Sequence, residues 1–388
     1  MKDICLLGAT GSIGTSTIDI LLERKDKFNL TAVSCNTRID NLRVILNKFP
    51  SIKFVSVGVK DINSLQKEYP NVSFYNSEDS LTKIIELSKP YMVINALVGF
   101  VGLLPTLYTI SNDIHLALAN KESLVVGGEL IIDLLKKHKG KLYPIDSEHV
   151  ALAKLLKNKN NDDVKELVLT ASGGSFRNLS REELNNVTVK DALNHPSWKM
   201  GDKITIDSAT LINKAFEIIE AYYLFGFEES KIKVLLHDES YIHSLILMND
   251  NSFMADIGPR DMKISISYAL EEGNYVSSSL LPKLNIEDVA SFNFRKLNED
   301  RYPGLNLGRR VLKELGTMGC VFNAANEAAN LCFRNGELPF SKIEEVIIYQ
   351  MDSHRIIDHP TIEDLIYVHN LVYNDTLKYI KEERKWDL

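Results

Sequence analysis

Two acidic residues lie close together in the stretch "LYPIDSEHVALAKLL", residues 142 to 156. The stretch begins as a short apolar strand and continues as a helical pattern, and Asp146 and Glu148 lie at the change. Side chains two apart in an extended segment point to the same face, which would place these carboxylates side by side. Like charges at that distance repel. A bound cation, a shared proton or open solvent would each offset the repulsion.

A glycine-rich turn opens the chain in "LLGATGSIGTSTIDIL", where Gly8, Gly11 and Gly14 separate an apolar strand from a helix. Such a turn lets backbone N–H groups approach a pyrophosphate at the positive end of the helix, and Thr10 and Ser12 add hydroxyl donors. The spacing is GxxGxxG rather than GxGxxG, and tight turns also need glycine for steric reasons alone. Together with its flanking strand and helix, the motif predicts a nucleotide site.

The second strand ends at "AVSCNTR" without an acidic residue. The usual carboxylate contact with a ribose 2′-hydroxyl is therefore missing, and Arg38 could instead meet a 2′-phosphate. This favours NADP over NAD. The alternative is that Arg38 is an ordinary solvated loop residue.

Two further strand ends carry reactive side chains. "LALANKESLVV" places Lys121 where parallel strands of such folds bind ligands, and there it could polarise a substrate oxygen; capping of the next helix by Asn120 is the alternative. "LTASGGSFR" places Ser172 and two glycines after another apolar strand. This is either an anion-binding nest or a plain turn.

The segment "HPSWKMGDKITIDSATLINKAFEIIEAYYLF" combines a loop with a helix. Asn213, Lys214 and Glu217 share one helix face, as in a binding site or an ordinary amphipathic boundary. The loop before it contains large side chains, among them His195, Trp198 and Met200. Its composition suits a lid that closes over a substrate and excludes water.

The elements that position these residues follow from the pattern of the whole chain. Its 388 residues fit two or three domains. Strand and helix alternate over 1–150, which predicts a parallel sheet covered on both faces. Residues 151–275 read as an α+β domain, 276–302 as a connection, and 303–388 as helices.

Composition excludes several classes of protein. With 45% hydrophobic and 25% charged residues the chain resembles ordinary soluble proteins, and its net charge of −7 argues against a nucleic-acid binder. No apolar run reaches 18 residues and the chain enters a strand directly, so we expect no membrane span, no signal sequence and a cytoplasmic protein. The cysteines lack a metal-binding spacing and are expected to be reduced and mostly buried: Cys5, Cys35, Cys320 and Cys332.

Six motifs in series resemble those of the 1-deoxy-D-xylulose 5-phosphate reductoisomerase family: "GATGSIG", "ANKESL", "PIDSEH", "SGGSFR", "HPSWKMG" and "DSATLINKAFEIIEA". "YPGLNLG" and "FNAANEAAN" extend the resemblance to the carboxy-terminal segments. The resemblance implies an α/β protein with a Rossmann-like NADPH-binding domain, an α+β catalytic, metal-binding and dimerisation domain with a mobile lid loop, and a carboxy-terminal helical bundle. It also implies a homodimer.

The resemblance assigns roles by motif. A divalent metal, Mg²⁺ or Mn²⁺, would be bound by Asp146, Glu148 and Glu217, and its charge would remove the repulsion between the first two. Glu148 and Glu217 would also contact the substrate. The substrate phosphate would be held by Ser172, His195, Ser208, Asn213 and Lys214. Ser147 and Lys121 would contact the substrate near its reacting carbons, and Trp198 would cover it. The catalytic set would be Lys121, Asp146, Glu148, His195 and Glu217.

The NADPH site implied in the same way comprises Thr10, Gly11, Ser12, Ile13, Asn36, Thr37, Arg38, Asn120, Glu122 and Gly201. The sequence departs from the family at one point, because Asn36, Thr37 and Arg38 replace a Gly-Lys-Asn-like stretch after the second strand.

The activity implied is metal-dependent rearrangement of 1-deoxy-D-xylulose 5-phosphate to an aldehyde, followed by NADPH reduction to 2-C-methyl-D-erythritol 4-phosphate, in isoprenoid precursor synthesis. Fosmidomycin would inhibit it. Two alternatives are another NADP-dependent dehydrogenase, of the semialdehyde or homoserine type, and a non-catalytic nucleotide-binding regulatory protein. The dehydrogenase would not need three carboxylates beside a phosphate cluster, and the regulator would not oxidise NADPH.

Overall fold

The computed structural model describes residues 1–198 and 200–382, which form two compact units. The first unit comprises Met1–Asn120, Leu130–Val150 and Asp261–Pro282. The second comprises Lys121–Glu129, Ala151–Arg260 and the described part of Lys283–Leu388. Packing thus places 261–275 in the first unit, whereas the functional division predicted from the sequence groups 151–275. That functional division stays a prediction.

A parallel sheet of seven strands forms the centre of the first unit, in the order β4-β3-β2-β1-β5-β6-β7. Ile4 to Leu7 in β1 are all fully buried, as expected for a strand covered on both faces. The α/β class and parallel sheet predicted from strand–helix alternation are confirmed. The strands are β1 (Lys2–Leu7), β2 (Phe28–Cys35), β3 (Phe54–Val57), β4 (Ser73–Tyr75), β5 (Met92–Asn95), β6 (His115–Leu118) and β7 (Leu142–Pro144).

The second unit contains a mixed sheet of five strands, in the order β11-β10-β8-β9-β12. β8 pairs with β9 in parallel and with β10 antiparallel, while β11 and β12 are antiparallel edge strands. This confirms the α+β character predicted for the catalytic part. The strands are β8 (Val164–Ala171), β9 (Ile232–Leu236), β10 (Ile242–Met248), β11 (Phe253–Ile257) and β12 (Arg295–Lys296).

The helices of the described residues fall into two groups. The first group alternates with the strands of the parallel sheet: α1 (Ser12–Glu23), α2 (Ile39–Lys48), α3 (Asn63–Glu68), α4 (Ser80–Ser88), α5 (Leu103–Ser111), α6 (Lys121–Lys137, kinked at Gly127) and α7 (Ser147–Leu156). The second group follows β8: α8 (Val189–Ala192), α9 (Asp202–Ala209), α10 (Ile212–Phe225), α11 (Met262–Leu270), α12 (Pro303–Glu314), α13 (Met318–Arg334), α14 (Ile343–Ser353) and α15 (Ile362–Glu382).

Short 3₁₀ turns connect several of these elements, at Phe100–Gly102, Asn161–Asp163, Glu183–Asn186, Glu229–Lys231, Ile286–Asp288, Glu299–Arg301 and Phe340–Lys342. The described residues after 302 are mainly helical, as predicted, and α13 packs against both α14 and α15. None of the described helices combines the length and the apolar character that crossing a membrane requires.

The turn between β1 and α1 is built from glycine for steric reasons. Gly8 has φ +81°, and a Cβ there would lie 2.5 Å from Ala96 O. A Cβ on Gly14 would lie 2.2 Å from Gly8 O. Side chains at either position would force the first turn of α1 away from β1. The turn therefore brings the start of α1 close to the carboxyl end of the sheet at β1 and β5, where the strand order reverses.

Candidate active site

The start of α1 in the first unit is suited to an anion. Gly11 precedes the helix and has no side chain with which to cap it, so backbone N–H groups of the first turn remain available to a phosphate. Arg38 lies beside this turn, because its Nη1 donates to Thr10 O at 3.1 Å. Asn36, Thr37 and Arg38 are all exposed at the end of β2. The positions of these residues suit the predicted 2′-phosphate contact, which stays a prediction.

Asn120, another predicted cofactor residue, uses its side chain to hold a neighbouring loop. It is fully buried, and its amide donates to Leu97 O at 3.1 Å and to Gly99 O at 3.0 Å. These bonds fix the loop that follows β5. Asn120 therefore shapes the carboxyl edge of the sheet through its side chain.

Asp146 and Glu148 belong to the first unit, at the junction of β7 and α7. Glu148 N–H donates to Asp146 Oδ1 at 3.2 Å, and His149 Nδ1 lies 3.3 Å from the same oxygen. The helix starts at Ser147, so the expected extended geometry is wrong. The two carboxylates are nevertheless neighbours, as predicted, because one oxygen of Asp146 and one of Glu148 lie within 4.8 Å of each other. A helix start favours acidic side chains, because its backbone N–H groups carry partial positive charge. This local effect offsets part of the repulsion between them.

The predicted anion nest in the second unit follows β8. Gly173 and Gly174 have φ +80° and +70°, and Gly174 N–H points to Ser172 Oγ at 3.4 Å. A Cβ on Gly174 would lie 2.5 Å from Ser208 O, so this turn packs directly on the backbone of α9. The structure thus brings Ser172 and Ser208, from separate motifs, to neighbouring positions.

His195 completes this group from the loop before α9. Its Nδ1 accepts hydrogen bonds from Ser197 N–H at 3.1 Å and Trp198 N–H at 3.0 Å. A neutral ring that accepts at Nδ1 carries its hydrogen on Nε2, which lies 3.2 Å from Ser172 Oγ. Burial, together with the positive charge of Arg177, lowers the pKa of His195 to about 4. At neutral pH His195 is therefore an uncharged hydrogen-bond donor toward Ser172.

Four polar side chains cluster on α10 and the start of α6. Lys121 Nζ donates to Asn213 Oδ1 at 2.8 Å and lies 3.3 Å from Glu217 Oε1, and Lys214 forms an ion pair with Glu217 Oε2. Lys121, Lys214 and Glu217 are all buried. The helix-face prediction for Asn213, Lys214 and Glu217 is confirmed, and Lys121 joins them. Two ammonium groups beside one carboxylate leave the cluster with a net positive charge, which favours a further anionic group nearby.

Glu122 is buried and pairs with a lysine that sequence reasoning did not single out. Lys203 Nζ lies 2.7 Å from Glu122 Oε1 and 2.9 Å from Asp207 Oδ2. Burial opposes ionisation of Glu122, but the Lys203 ammonium outweighs it and holds the pKa of that carboxyl below its usual range. The i, i+4 spacing of Lys203 and Asp207 was the available sequence signal.

The lid candidates lie in the second unit as well. Trp198 is half-buried, and its ring centroid lies 6.4 Å from that of His243. Gly201 is exposed and precedes the first residue of α9. Residue 199, between Trp198 and Met200 in the quoted motif, lies outside the described residues.

Three family models match most of the chain. The model of 1-deoxy-D-xylulose 5-phosphate reductoisomerase matches residues 4–128, that of its C-terminal domain matches 142–225, and the DXP reductoisomerase C-terminal domain matches 257–374. Among solved structures, a DOX-P reductoisomerase in complex with NADPH, fosmidomycin and magnesium has a TM-score of 0.93 at 31% identity and covers 99% of this chain and 100% of its own. The 1-deoxy-D-xylulose 5-phosphate reductoisomerase from Zymomonas mobilis, in complex with NADPH, has a TM-score of 0.89 at 31% identity and covers 98% and 99%.

Curated relatives match nearly the whole chain. The 1-deoxy-D-xylulose 5-phosphate reductoisomerase 2 of Bacillus cereus is 41% identical over 95% of this chain and 97% of its own. The 1-deoxy-D-xylulose 5-phosphate reductoisomerase of Listeria innocua is 41% identical over 98% of this chain and 99% of its own. The resemblance carried by the motifs is confirmed, and the chain belongs to the 1-deoxy-D-xylulose 5-phosphate reductoisomerase family.

Proposed function

We propose that this protein converts 1-deoxy-D-xylulose 5-phosphate to 2-C-methyl-D-erythritol 4-phosphate, using NADPH and a divalent metal. The observation that carries the proposal is the buried cluster of Lys121, Asn213, Lys214 and Glu217, with a serine–glycine nest and a neutral histidine in the same unit. A phosphosugar needs donors for its phosphate and a polar group for its reacting carbonyl, and this set offers both. The product is a precursor in isoprenoid biosynthesis.

NADPH is assigned mainly to the first unit, and two solved relatives are complexes with NADPH. Its pyrophosphate would meet the start of α1 at Thr10, Gly11, Ser12 and Ile13. Its 2′-phosphate would be contacted at Asn36, Thr37 and Arg38, where the guanidinium supplies the positive charge. Asn120, Glu122 and Gly201 complete the proposed site.

A divalent metal, Mg²⁺ or Mn²⁺, is assigned to Asp146, Glu148 and Glu217. Three carboxylates fit such an ion, because hard cations prefer oxygen ligands and neutralise the charge of the ligands. When bound, the metal polarises substrate oxygens as a Lewis acid. Glu217 is ion-paired with Lys121 and Lys214, so these two lysines fix the position of its carboxylate.

The side chains of the second unit bind and orient the phosphosugar. Lys214 and Asn213, with Ser172 and Ser208, would hold the phosphate, and His195 would donate from Nε2. Remote binding of the phosphate orients the reacting end of the substrate. Lys121 of the second unit and Ser147 of the first would contact oxygens near the reacting carbons, and the positive charge of Lys121 favours the negative charge that develops on oxygen.

The loop from His195 to Met200 is assigned as a lid over the bound phosphosugar. Trp198 is large and only half-buried, so closure over a ligand can cover more of its surface. Exclusion of water strengthens the charge interactions underneath and protects the reactive aldehyde.

A homodimer is the proposed assembly, with β11 at the interface. β11 is an edge strand, and Phe253, Met254 and Ile257 on it are exposed. An exposed edge strand can pair with another chain, and exposed apolar patches mark interaction surfaces. We also propose a cytoplasmic location, because the described cysteines are free and buried, as is usual in a reducing compartment.

The first prediction concerns the reaction. The protein should oxidise NADPH when given 1-deoxy-D-xylulose 5-phosphate and Mg²⁺ or Mn²⁺, followed by absorbance at the nicotinamide band. Removal of the metal with a chelator should stop turnover, and added metal should restore it. A dehydrogenase of the homoserine or semialdehyde type would leave this substrate untouched, and a nucleotide-binding regulator would never oxidise NADPH; either outcome would refute the proposal.

The second prediction concerns the metal ligands. Glu217→Gln should lower kcat/KM by more than about 100-fold, beyond the cost of losing an outer partner of a metal, and should weaken Mn²⁺ binding measured by calorimetry. Its NADPH affinity should be nearly unchanged, because the nucleotide site lies mainly in the first unit. Glu220→Gln alters another buried carboxylate one turn further along α10 and should keep more activity. An unaltered Mn²⁺ affinity in Glu217→Gln would exclude Glu217 as a ligand.

The third prediction concerns the lid. Limited proteolysis within residues 195–202 should slow when fosmidomycin and Mg²⁺ are bound, and Trp198→Ala should weaken both inhibitor and substrate while NADPH affinity changes less. Cleavage at the same rate with and without the inhibitor would show that the loop does not close.

The fourth prediction concerns assembly. Light scattering should give twice the 43.8 kDa mass of one chain, and Phe253→Glu should shift the protein toward the mass of a single chain at low concentration, because it buries a charge in the proposed interface. Val44→Glu alters a similarly exposed apolar residue on α2 and should leave the mass unchanged. A wild-type mass of one chain would contradict the proposal.

A further inference from the structure

We propose that Asp207 is a positioning residue for the phosphate end of the substrate, acting through Ser208. Its carboxylate accepts hydrogen bonds from α13, and these contacts hold α9 against α13 and so set the position of the neighbouring serine. The inference rests on the proposed function, in which Ser208 contacts the substrate phosphate. It gives a role to the motif "FNAANEAAN", which the reaction itself leaves unexplained.

The contact between α9 and α13 consists of two asparagine amides that donate to the same buried oxygen of Asp207. Asn326 Nδ2 lies 3.0 Å from Asp207 Oδ1, and Asn330 Nδ2 lies 2.9 Å from the same oxygen. Asn330 Nδ2 also donates to Lys203 O at 3.0 Å. The asparagines are four apart on α13 and fully buried. Two successive turns of α13 therefore contact one residue of α9, which fixes α9 both along its axis and about it.

The second carboxylate oxygen of Asp207 is also engaged. Lys203 Nζ lies 2.9 Å from Asp207 Oδ2 and 2.7 Å from Glu122 Oε1. Asp207 thus accepts from three side chains while it is almost completely buried. A buried charge with this many donors is a weak source of stability but demands exact geometry. That combination suits a residue whose task is to hold a helix in register.

The orientation of Asn326 points to the same task. Its Oδ1 is buried without a hydrogen-bond partner among the residues that the structure describes. Turning the amide would satisfy that oxygen no better, because it would then face the Asp207 carboxylate and the donor would be lost. The side chain is therefore held for donation to Asp207.

Ser208 follows Asp207 directly, and successive residues of a helix differ by about 100° in direction. Asp207 faces α13, whereas the backbone at Ser208 meets the turn after β8, with Ser208 O 2.5 Å from where a Gly174 Cβ would be. Any slip of α9 along α13 would therefore move Ser208 relative to Ser172. Removal of the Asp207 contacts should therefore weaken phosphate binding although none of the phosphate-binding residues is substituted.

The test is a double-mutant cycle on KM for 1-deoxy-D-xylulose 5-phosphate in the full-length enzyme with saturating Mg²⁺. Ser208→Ala and Asp207→Asn should each raise KM by about tenfold, the effect of losing one charge-assisted hydrogen bond. Their combination should raise KM no more than about twofold beyond the larger single effect, because Asp207 acts through Ser208. kcat and the Kd for NADPH should stay within about threefold of wild type.

Two further variants keep the experiment decisive. Asn330→Ala removes one donor and leaves the Asp207–Lys203 pair intact, so it should raise KM by about threefold even if Asp207→Asn does not fold. Thr376→Val changes a fully buried polar residue of α15, whose hydroxyl donates to Val372 O, and should leave KM unchanged. Thermal unfolding of each variant shows whether a rise in KM comes from destabilisation of the whole fold or from displacement of Ser208 in a folded protein.

The outcomes distinguish the inference from the proposed function. If Ser208→Ala leaves KM unchanged, the phosphate assignment of Ser208 itself is wrong. If Ser208→Ala raises KM but Asp207→Asn and Asn330→Ala do not, the positioning role is overturned. The same holds if the effects of Ser208→Ala and Asp207→Asn multiply independently, since a merely structural role would produce that result.

Discussion

Glu217 places a carboxylate in the interior of the second unit, and its pairing with Lys121 and Lys214 is the interaction on which the rest of the site depends. Removing one partner of a buried ion pair costs about 3–5 kcal/mol, so α6 and α10 have to be held at a fixed distance. The same pairing brings an amine from each helix to one point. We propose that this arrangement binds a ligand that carries both a phosphate and polar oxygens.

The carboxy-terminal helices pack against the elements that carry this site, although they supply none of its proposed ligand-binding side chains. Gly308 of α12 allows close approach to α10, because a Cβ there would lie 2.7 Å from Ala215 O. Arg301 donates to Phe176 O at 3.2 Å and to Leu179 O at 2.8 Å, which fixes the segment after the serine–glycine turn. Phe176 packs edge-on against Phe340 at 4.9 Å. The helical region thus holds the elements that carry the proposed phosphate donors, which explains why it belongs to the same compact unit as α9 and α10.

The sequence predicts the features that depend on local pattern. Strand–helix alternation identifies the parallel sheet, and the spacing of Asn213, Lys214 and Glu217 identifies one face of α10. Features that depend on distant contacts are not predictable in this way. α11 packs against α1 in the first unit, where Glu271 pairs with Arg24, although the two partners are 247 residues apart. The sequence pattern also did not show that α7 starts at Ser147, because two acidic residues are compatible with a helix start as well as with a strand end.

We propose that Asp146, Glu148 and Glu217 together hold one metal ion that also contacts the substrate. Crystals grown with Mn²⁺ and fosmidomycin, with anomalous data collected at the manganese absorption edge, test it most directly. We predict one anomalous peak per chain, within bonding distance of a carboxylate oxygen from each of the three residues and of the inhibitor hydroxamate. A peak that lacks any one of the three carboxylates, or that lies away from them, would contradict the claim.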